Sequence, residues 1–181
     1  ISIMSELRTN RIVPRDGLAS GMSGGIIQVK SATKTDTQSI SGTGSSADIT
    51  GLSVSITPTR SDSKILVMYS VNAGATEGGY NGAINLFRDS TQIYLGDAAS
   101  NRARVSNLIS ISNTGGGTDY NMVHLSGHHL DSPSTTSATT YKLQLKNLSS
   151  ESLYINQSKN DGDQTYIART ASSITVMEIS G

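Results

Sequence analysis

The sequence predicts an all-β protein built as an antiparallel sandwich or barrel, and three observations support this. Short runs of alternating apolar and polar residues recur from residue 26 to residue 179, each bounded by Gly, Ser, Asn, Asp or Pro. Helical periodicity is missing, since even the segment 97–104 lacks a repeating apolar stripe. Ser and Thr make up about a quarter of the chain, and Thr suits strands whereas Ser suits turns. We therefore expect roughly nine to eleven strands in a layered β fold.

The predicted strands follow one another with recognisable turns between them. Residues 52–56 alternate strictly between apolar and polar, as a half-buried strand does. Residues 64–71 form a nearly continuous apolar run, which predicts a central strand buried on both faces. Residues 83–88 and 92–95 predict a hairpin around Asp89-Ser90. In chain order the predicted strands are 26–30, 52–56, 64–71, 83–88, 92–95, 105–112, 120–129, 139–146, 152–156 and 174–179, with a mobile loop expected at 39–46.

Composition excludes several classes of protein. The 181 residues favour one domain with an appendage. The chain has no cysteine, which excludes disulfides and thiolate metal sites. It carries 14 basic and 14 acidic residues and so lacks the basic surplus that nucleic-acid binding normally requires. No apolar run approaches the ~18 residues that a membrane-spanning helix needs, and no export signal is recognisable, so no membrane insertion is expected.

The core is predicted to be poor in aromatic side chains. Aromatic residues form 4% of the chain, with no Trp and a single Phe, Phe87. A core of Ile, Val, Leu and Met without large rings buries little apolar surface for a monomer. We therefore predict that contacts between subunits supply part of the burial.

The three histidines, His124, His128 and His129, fall within six residues of one another. On a strand, His124 and His128 share one face and His129 lies on the other. Imidazoles at i and i+4 of a strand are ~13 Å apart, which is too far for both to bind one metal ion. The favoured interpretation is three polar positions on a half-buried strand. The alternative is an ion held around a threefold axis by one histidine from each of three chains.

Two further clusters suggest chemistry but have simpler explanations. Asp131 precedes Ser132-Pro133 and a run of hydroxyl residues, yet no strand-to-helix elbow surrounds it, so we expect turn chemistry with Asp131 capping its own backbone. The glycine clusters at 78–79 and 115–117 precede no helix, which argues against phosphate binding and favours loops at one end of a sandwich. The sequence predicts no catalytic residue, no cofactor and no resident metal.

Loops of a β sandwich commonly carry its binding function. Tyr, Asn and Arg side chains at loop tips stack on, and hydrogen-bond to, sugars or protein surfaces. The predicted surface-recognition residues are Tyr80, Asn101, Arg102, Arg104, Asn113, Asp119 and Tyr120.

Residues 1–25 differ from the rest of the chain and predict a docking segment ahead of a β domain at 26–181. Arginines suit bidentate contacts with carboxylates, and aliphatic side chains supply apolar anchors. Pro14 prevents one continuous helix, so an extended segment is expected. The alternative is a solvated, mobile terminus. The predicted docking residues are Leu7, Arg8, Arg11, Ile12, Val13 and Arg15.

The order of several sequence strings resembles a known group of proteins. ELRTNRIVPRDGLASG, SVSITPTRSDSKILVMYSV, LDSPSTTSATTYKLQLK and SSITVMEI occur in this order, and the likeness runs from Ser5 to Ile179. Together they resemble tail-fibre or appendage proteins in the virions of marine tailed phages, including cyanophages. The resemblance implies attachment to other virion proteins through the leader and a homotrimeric, jelly-roll-like knob similar to the tumour-necrosis-factor/C1q fold. It also implies assembly in the host cytoplasm with release by lysis.

Three functions compete on this basis. The leading one is a virion structural protein that presents a trimeric β knob to a glycan or protein on the host surface. The second is a capsid decoration protein that stabilises the shell without binding a host, because a short leader joined directly to the knob suits that role as well. The third is a polysaccharide-cleaving enzyme. Such enzymes need paired carboxylates in a groove, and the sequence offers no compelling pair, so we expect no enzymatic activity.

Overall fold

The fold is built from eleven strands in a computed structural model, which describes residues 25–76, 79–111 and 120–181, with the backbone alone at 79–81. The strands are β1 (Ile26–Lys34), β2 (Gln38–Ile40), β3 (Ser46–Ile56), β4 (Lys64–Ala75), β5 (Gly79–Arg88), β6 (Thr91–Ile93), β7 (Asn107–Ile111), β8 (Met122–Asp131), β9 (Thr139–Asn147), β10 (Leu153–Ile155) and β11 (Ser172–Ile179).

The eight longer strands pair in a nested order. The first of them pairs with the last, β1 with β11, and the second with the seventh, β3 with β9. Within these, β4 pairs with β8 and β5 pairs with β7, all antiparallel. This is the pattern of one long hairpin that has been rolled over on itself, which defines a jelly roll. The predicted antiparallel sandwich of jelly-roll type is confirmed.

Rolling the hairpin produces two sheets. The front sheet places β1, β11, β4 and β8 side by side, and β10 and β2 continue it beyond the end of β11. The back sheet places β3, β9 and β5 side by side, with β6 and β7 in line along the far edge of β5. The core fills the space between the two sheets and consists mainly of Ile, Val, Leu and Ala side chains with Tyr69 and Tyr141.

Strict alternation explains which face each strand buries. In β9 the residues Thr139, Tyr141, Leu143 and Leu145 are buried, and the intervening side chains are only partly so. β11 alternates in the same way. Because successive side chains of a strand point to opposite faces, this period fixes the inner face from the sequence alone.

β4 does not match the prediction of a strand buried on both faces. Its inward side chains, among them Ile65, Val67 and Val71, are fully buried, whereas Met68 on the opposite face is 43% exposed. β4 is central in the front sheet, between β11 and β8. Its outer face stays open because no described element packs over that side of the sheet.

The loop expected at 39–46 is shorter than predicted. Gln38–Ile40 forms β2, which pairs with β10, and β3 already begins at Ser46. The Gln38 side-chain amide accepts from the Thr50 backbone N–H at 2.8 Å and donates to the Asp48 carbonyl at 2.9 Å. These contacts stabilise an irregularity in β3 between Asp48 and Ser53, where Gly51 has φ +87°. A positive φ of this kind favours glycine.

Candidate functional site

The front sheet has two distinct ends, and the chain enters at one of them. The entry end contains Ile26, Ile179 and Lys64, which follow one another across the paired strands, and Asp131, which pairs with the neighbouring Ile65. The Gly25 carbonyl there accepts a hydrogen bond from the Ser180 N–H at 2.9 Å. The opposite, far end contains Lys34, Ser172, Gly74 and Met122. β4 has 12 residues, and at about 3.3 Å per step it separates the two ends by about 36 Å.

An exposed aromatic pair lies at the far end. Tyr120 stands just before β8 and is 45% exposed, and its ring meets Tyr166 edge-on with 5.8 Å between the ring centroids. Tyr166 is 70% exposed and belongs to the connection between β10 and β11. Exposed tyrosines offer broad, rigid contact area with a polar tip, as recognition surfaces do. Sequence reasoning identified Tyr120 and missed Tyr166. The available signal was a lone aromatic in the polar stretch NDGDQTY.

The remaining recognition candidates divide between two places. The backbone of Tyr80 pairs with Ser110 near the start of β5, which is also at the far end. Asn113 and Asp119 lie outside the described residues. Asn101, Arg102 and Arg104 lie in the connection between β6 and β7, at the edge of the back sheet. The predicted residues therefore do not form one site.

The connection between β6 and β7 is ordered by its own hydrogen bonds. Arg104 donates from Nε to the Gly96 carbonyl at 2.7 Å, and the Arg102 N–H donates to the Ala99 carbonyl at 3.1 Å. Asn101 and Arg102 keep exposed side chains. Arg104 therefore stabilises the loop, and its side chain is exposed, as are those of Asn101 and Arg102.

The predicted docking residues all lie outside the described residues: Leu7, Arg8, Arg11, Ile12, Val13 and Arg15. The residue that links them to the domain, Gly25, is at the entry end. Their role and the domain boundary at residue 25 remain predictions.

The histidines divide between faces as predicted. His128 and His124 oppose Met68 and Asn72 on the outer face of the front sheet. The His124 Nδ1 atom lies 3.2 Å from the Asn72 Oδ1 atom, within hydrogen-bond distance. His129 points the other way and its ring lies 5.5 Å from that of Tyr94. Among the described residues, no three His, Asp or Glu side chains are placed to hold a metal ion together.

Asp131 has a different role from the predicted turn cap. It is the last residue of β8 and is 6% exposed, because its position opposite Ile65 points its side chain inward. Arg88 donates from one guanidinium nitrogen to both carboxylate oxygens at 2.9 and 3.0 Å, and Tyr141 donates its hydroxyl at 2.6 Å. Burial, and then the Asp131 carboxylate, raise the pKa of Tyr141 well above its usual value. The carboxylate is fully engaged in a buried network and is not available to the neighbouring hydroxyl run.

A second buried carboxylate stabilises the entry end. Glu178 is fully buried and accepts hydrogen bonds from Gln28 Nε2 at 2.6 Å and from the Thr59 N–H and hydroxyl at 2.7 Å each. Burial by itself would raise the pKa of Glu178, but these hydrogen bonds outweigh it and lower the pKa to about 2. Glu178 thus joins β1, β11 and the connection that follows β3.

The outer face of the front sheet carries an apolar row across all four long strands. Val29, Met177, Leu66 and Leu130 follow one another in register across β1, β11, β4 and β8. Met68 lies beside the row, in β4. We call these five residues the apolar band. Three of them are conspicuously exposed, with Leu130 at 55%, Val29 at 53% and Met68 at 43%.

Next to the apolar band the outer face is concave. A space of about 580 Å³ is bordered by Met68, Met177, His128 and Tyr94 together with small hydroxyl residues. Both polar and apolar side chains line this space, and it is open to solvent.

In the part of the chain that the structure describes, no helix is long and apolar enough to cross a membrane.

No family model and no curated protein matches this chain. Among solved structures, it is similar to the VP2 subviral particle of infectious bursal disease virus, with 11% identity over 96% of this chain and 43% of that chain and a TM-score of 0.45. It is also similar to T=1 particles derived from the same virus, with 10% identity over 96% of this chain and 42% of that chain and a TM-score of 0.44. The chain therefore spans less than half the length of either neighbour.

Proposed function

We propose that this chain is a structural protein of a virus particle, of the tail-fibre or appendage type found in tailed phages. Residues 1–25 attach it to other virion proteins, and a homotrimeric β knob presents its far end to a glycan or protein on the host surface. The observation that carries this proposal is the separation of the two ends. The leader joins the domain at Gly25, at the end of the front sheet opposite to the exposed pair Tyr120 and Tyr166, and β4, which has 12 residues, spans about 36 Å between the two ends.

The sequence and the core support the same function. The ordered strings from Ser5 to Ile179 resemble phage appendage proteins. The buried carboxylates Asp131 and Glu178, which could otherwise act in catalysis, are both held in hydrogen-bonded networks inside the fold. A rigid domain that binds weakly at three copies of one site gains affinity through multivalency. We propose no enzymatic activity, and degradation of a host glycan by the purified protein would contradict that.

Reversing the leader charges tests the docking role. The variant Arg8→Glu/Arg11→Glu/Arg15→Glu of the full chain should fold normally yet be absent from purified particles, because its acidic leader repels the carboxylates that the arginines contact. The matched control carries three reversals on the β domain, Lys30→Glu, Arg102→Glu and Lys146→Glu, and should be incorporated. Quantitative immunoblotting of purified particles measures both, and normal incorporation of the leader variant would refute docking.

A second candidate is a capsid decoration protein, because a short leader joined directly to a β knob suits that role as well. Binding of the labelled protein to whole host cells separates the two functions. An appendage protein should bind, and Tyr120→Ser/Tyr166→Ser should abolish the binding without changing the protein's mass in solution. A decoration protein should not bind cells, and its removal should make particles easier to disrupt by heat.

A further inference from the structure

We infer that the apolar band on the outer face of the front sheet is the surface through which copies of this chain associate. The occupant is a second copy of the same chain. This inference deepens the homotrimer part of the proposed function and rests on it only for the number of copies. It does not depend on the virion role.

The first argument is the arrangement of the exposed apolar side chains. Val29, Met177, Leu66 and Leu130 form an unbroken row across four strands, and Ile26 and Ile179 extend it at the entry end. Scattered single apolar residues are normal on a protein surface, but a contiguous patch that crosses a whole sheet marks an interaction site.

The second argument is the charge of this face. The charged side chains Lys30 and Glu178 lie on the opposite, inner face of the sheet. Lys30 pairs with the buried Val176, and Glu178 is itself at a buried position of β11. Asp131 also points inward, so Lys64 at the entry end is the one formally charged side chain among the outward positions of the four described strands. A nearly neutral face meets little electrostatic repulsion from another copy of the same chain.

The third argument is that polar groups on this face already bond to one another. The Ser31 hydroxyl lies 2.9 Å from the Thr175 hydroxyl and donates to the Ile174 carbonyl at 3.1 Å. Asn72 donates to the Ala171 carbonyl at 2.8 Å and lies within hydrogen-bond distance of His124. Covering these groups therefore removes fewer hydrogen bonds to water, which lowers the desolvation cost of association.

The fourth argument is shape. The space of about 580 Å³ beside Met68 and Met177 would stay empty if this concave surface met an identical concave surface. The face therefore receives a different, convex surface of the next copy. Contacts of this head-to-tail kind give a ring when the rotation between copies closes and an open filament when it does not, whereas a face that meets itself gives a twofold dimer. A closed ring is the arrangement that a homotrimer requires.

The area is sufficient for a specific contact. Four strands spaced about 4.8 Å apart, over the roughly 27 Å from Lys64 to Asn72, give a face of about 500 Å². Together with the surface that covers it, each contact buries about 1,000 Å², which is the minimum expected of a biological interface and below the roughly 1,200–2,000 Å² of stable complexes.

Mass in solution tests the inference on the full chain. The wild-type protein should have three times the 19.0 kDa chain mass at micromolar concentration. Val29→Lys/Leu130→Lys should reduce it to the mass of one chain. The matched control is Leu108→Lys/Tyr166→Lys, which also replaces two exposed hydrophobic residues, at 46% and 70% exposure, but outside the apolar band: Leu108 is in β7 of the back sheet and Tyr166 is in the connection between β10 and β11. It should keep the oligomer mass, as measured by light scattering.

A labelling experiment tests the same inference without the lysine variant, which could fail to fold. The chain has no cysteine, so Leu130→Cys introduces a single thiol on the band and Leu108→Cys a single thiol on the back sheet. Cys at position 130 should react with a maleimide at least tenfold more slowly in the oligomer than after dilution, while the control reacts quickly at both concentrations.

Three results would overturn the inference. They are a monomeric wild-type protein, an oligomer that survives Val29→Lys/Leu130→Lys, and equally fast labelling at positions 130 and 108 in the oligomer. Slow labelling at position 130 in a monomer would show that another part of the same chain covers the band. The particle-incorporation experiment is independent of all of these, so failure of the virion role is distinguishable.

Discussion

Glu178 shows how one side chain can stabilise the entry end. Its carboxylate is removed from water but accepts three hydrogen bonds, from Gln28 and from the backbone and side chain of Thr59. The folded protein therefore binds the proton more weakly than an unfolded chain does, with a pKa of about 2 against an ordinary value of 4.5. A carboxylate with a lowered pKa stabilises the folded state fully above the unfolded value, and its contribution is lost as the pH falls through the folded value.

We therefore predict that stability decreases between about pH 4.5 and pH 2 in the wild-type protein, and that Glu178→Gln reduces this decrease. At neutral pH the substitution should lower the free energy of unfolding by about 1–3 kcal/mol, because the amide places donors where Thr59 and Gln28 already donate. Urea unfolding at several pH values measures both effects. The control Asp97→Asn, at an exposed acid, should change neither, and an unaltered pH dependence in Glu178→Gln would contradict the assignment.

At the scale of elements, the pairing of β8 with β4 depends on Gly127, a residue of β8 without a side chain. Gly127 opposes Tyr69, and a Cβ atom at residue 127 would fall 2.5 Å from the Tyr69 hydroxyl oxygen. Tyr69 is 4% exposed, and its hydroxyl donates to Asn107, which fixes the ring in place. The glycine thus sets the contact between the edge strand of the front sheet and the core.

Gly127→Ala should destabilise the protein by about 1–3 kcal/mol, as overpacking of a rigid interior does. Gly96→Ala is the matched control, because nothing lies within 4 Å of a Cβ atom built at Gly96, and it should change the stability by less than about 0.5 kcal/mol. Thermal and urea unfolding of both variants test this. Equal stability of the two variants would mean that β8 moves away from Tyr69 at little cost.

At the scale of the whole molecule, the two faces of the front sheet differ. The inner face meets the back sheet and is buried, whereas the outer face exposes Val29, Met68 and Leu130. Association between subunits adds to the stability of the folded state by an amount that rises with the logarithm of the partner's concentration. The small aromatic content of the core is consistent with the proposed division of burial between the domain and a homo-oligomer.

The melting temperature of the wild-type protein should therefore rise with protein concentration, because mass action favours the associated, folded form. Val29→Lys/Leu130→Lys should abolish this dependence, and Leu108→Lys/Tyr166→Lys should keep it. Differential scanning calorimetry over a hundredfold range of concentration is the measurement. A melting temperature independent of concentration in the wild-type protein would count against association through the band.

The sequence by itself determined the strand content and the two faces of most strands. Strict alternation in residues 52–56 and 139–146 indicated the inner side chains correctly, and the same period placed His124 and His128 opposite to His129. These features depend on the local geometry of a strand, so a short window of sequence contains the information. The resemblance to phage proteins, and not the periodicity, supplied the jelly-roll arrangement.

Only the tertiary structure decided which strands are neighbours, because pairing partners lie far apart in the chain. β2 was not predicted from the sequence, because its three residues, Gln38–Ile40, form a strand only by pairing with β10. The apolar run of β4 indicated burial, but not that one of its faces would be left open. In the same way, the pairing of Asp131 with Arg88 and the meeting of Tyr120 with Tyr166 depend on how the hairpin rolls. The alternation of a strand is a local property, whereas the surface that covers each face is set by the whole fold.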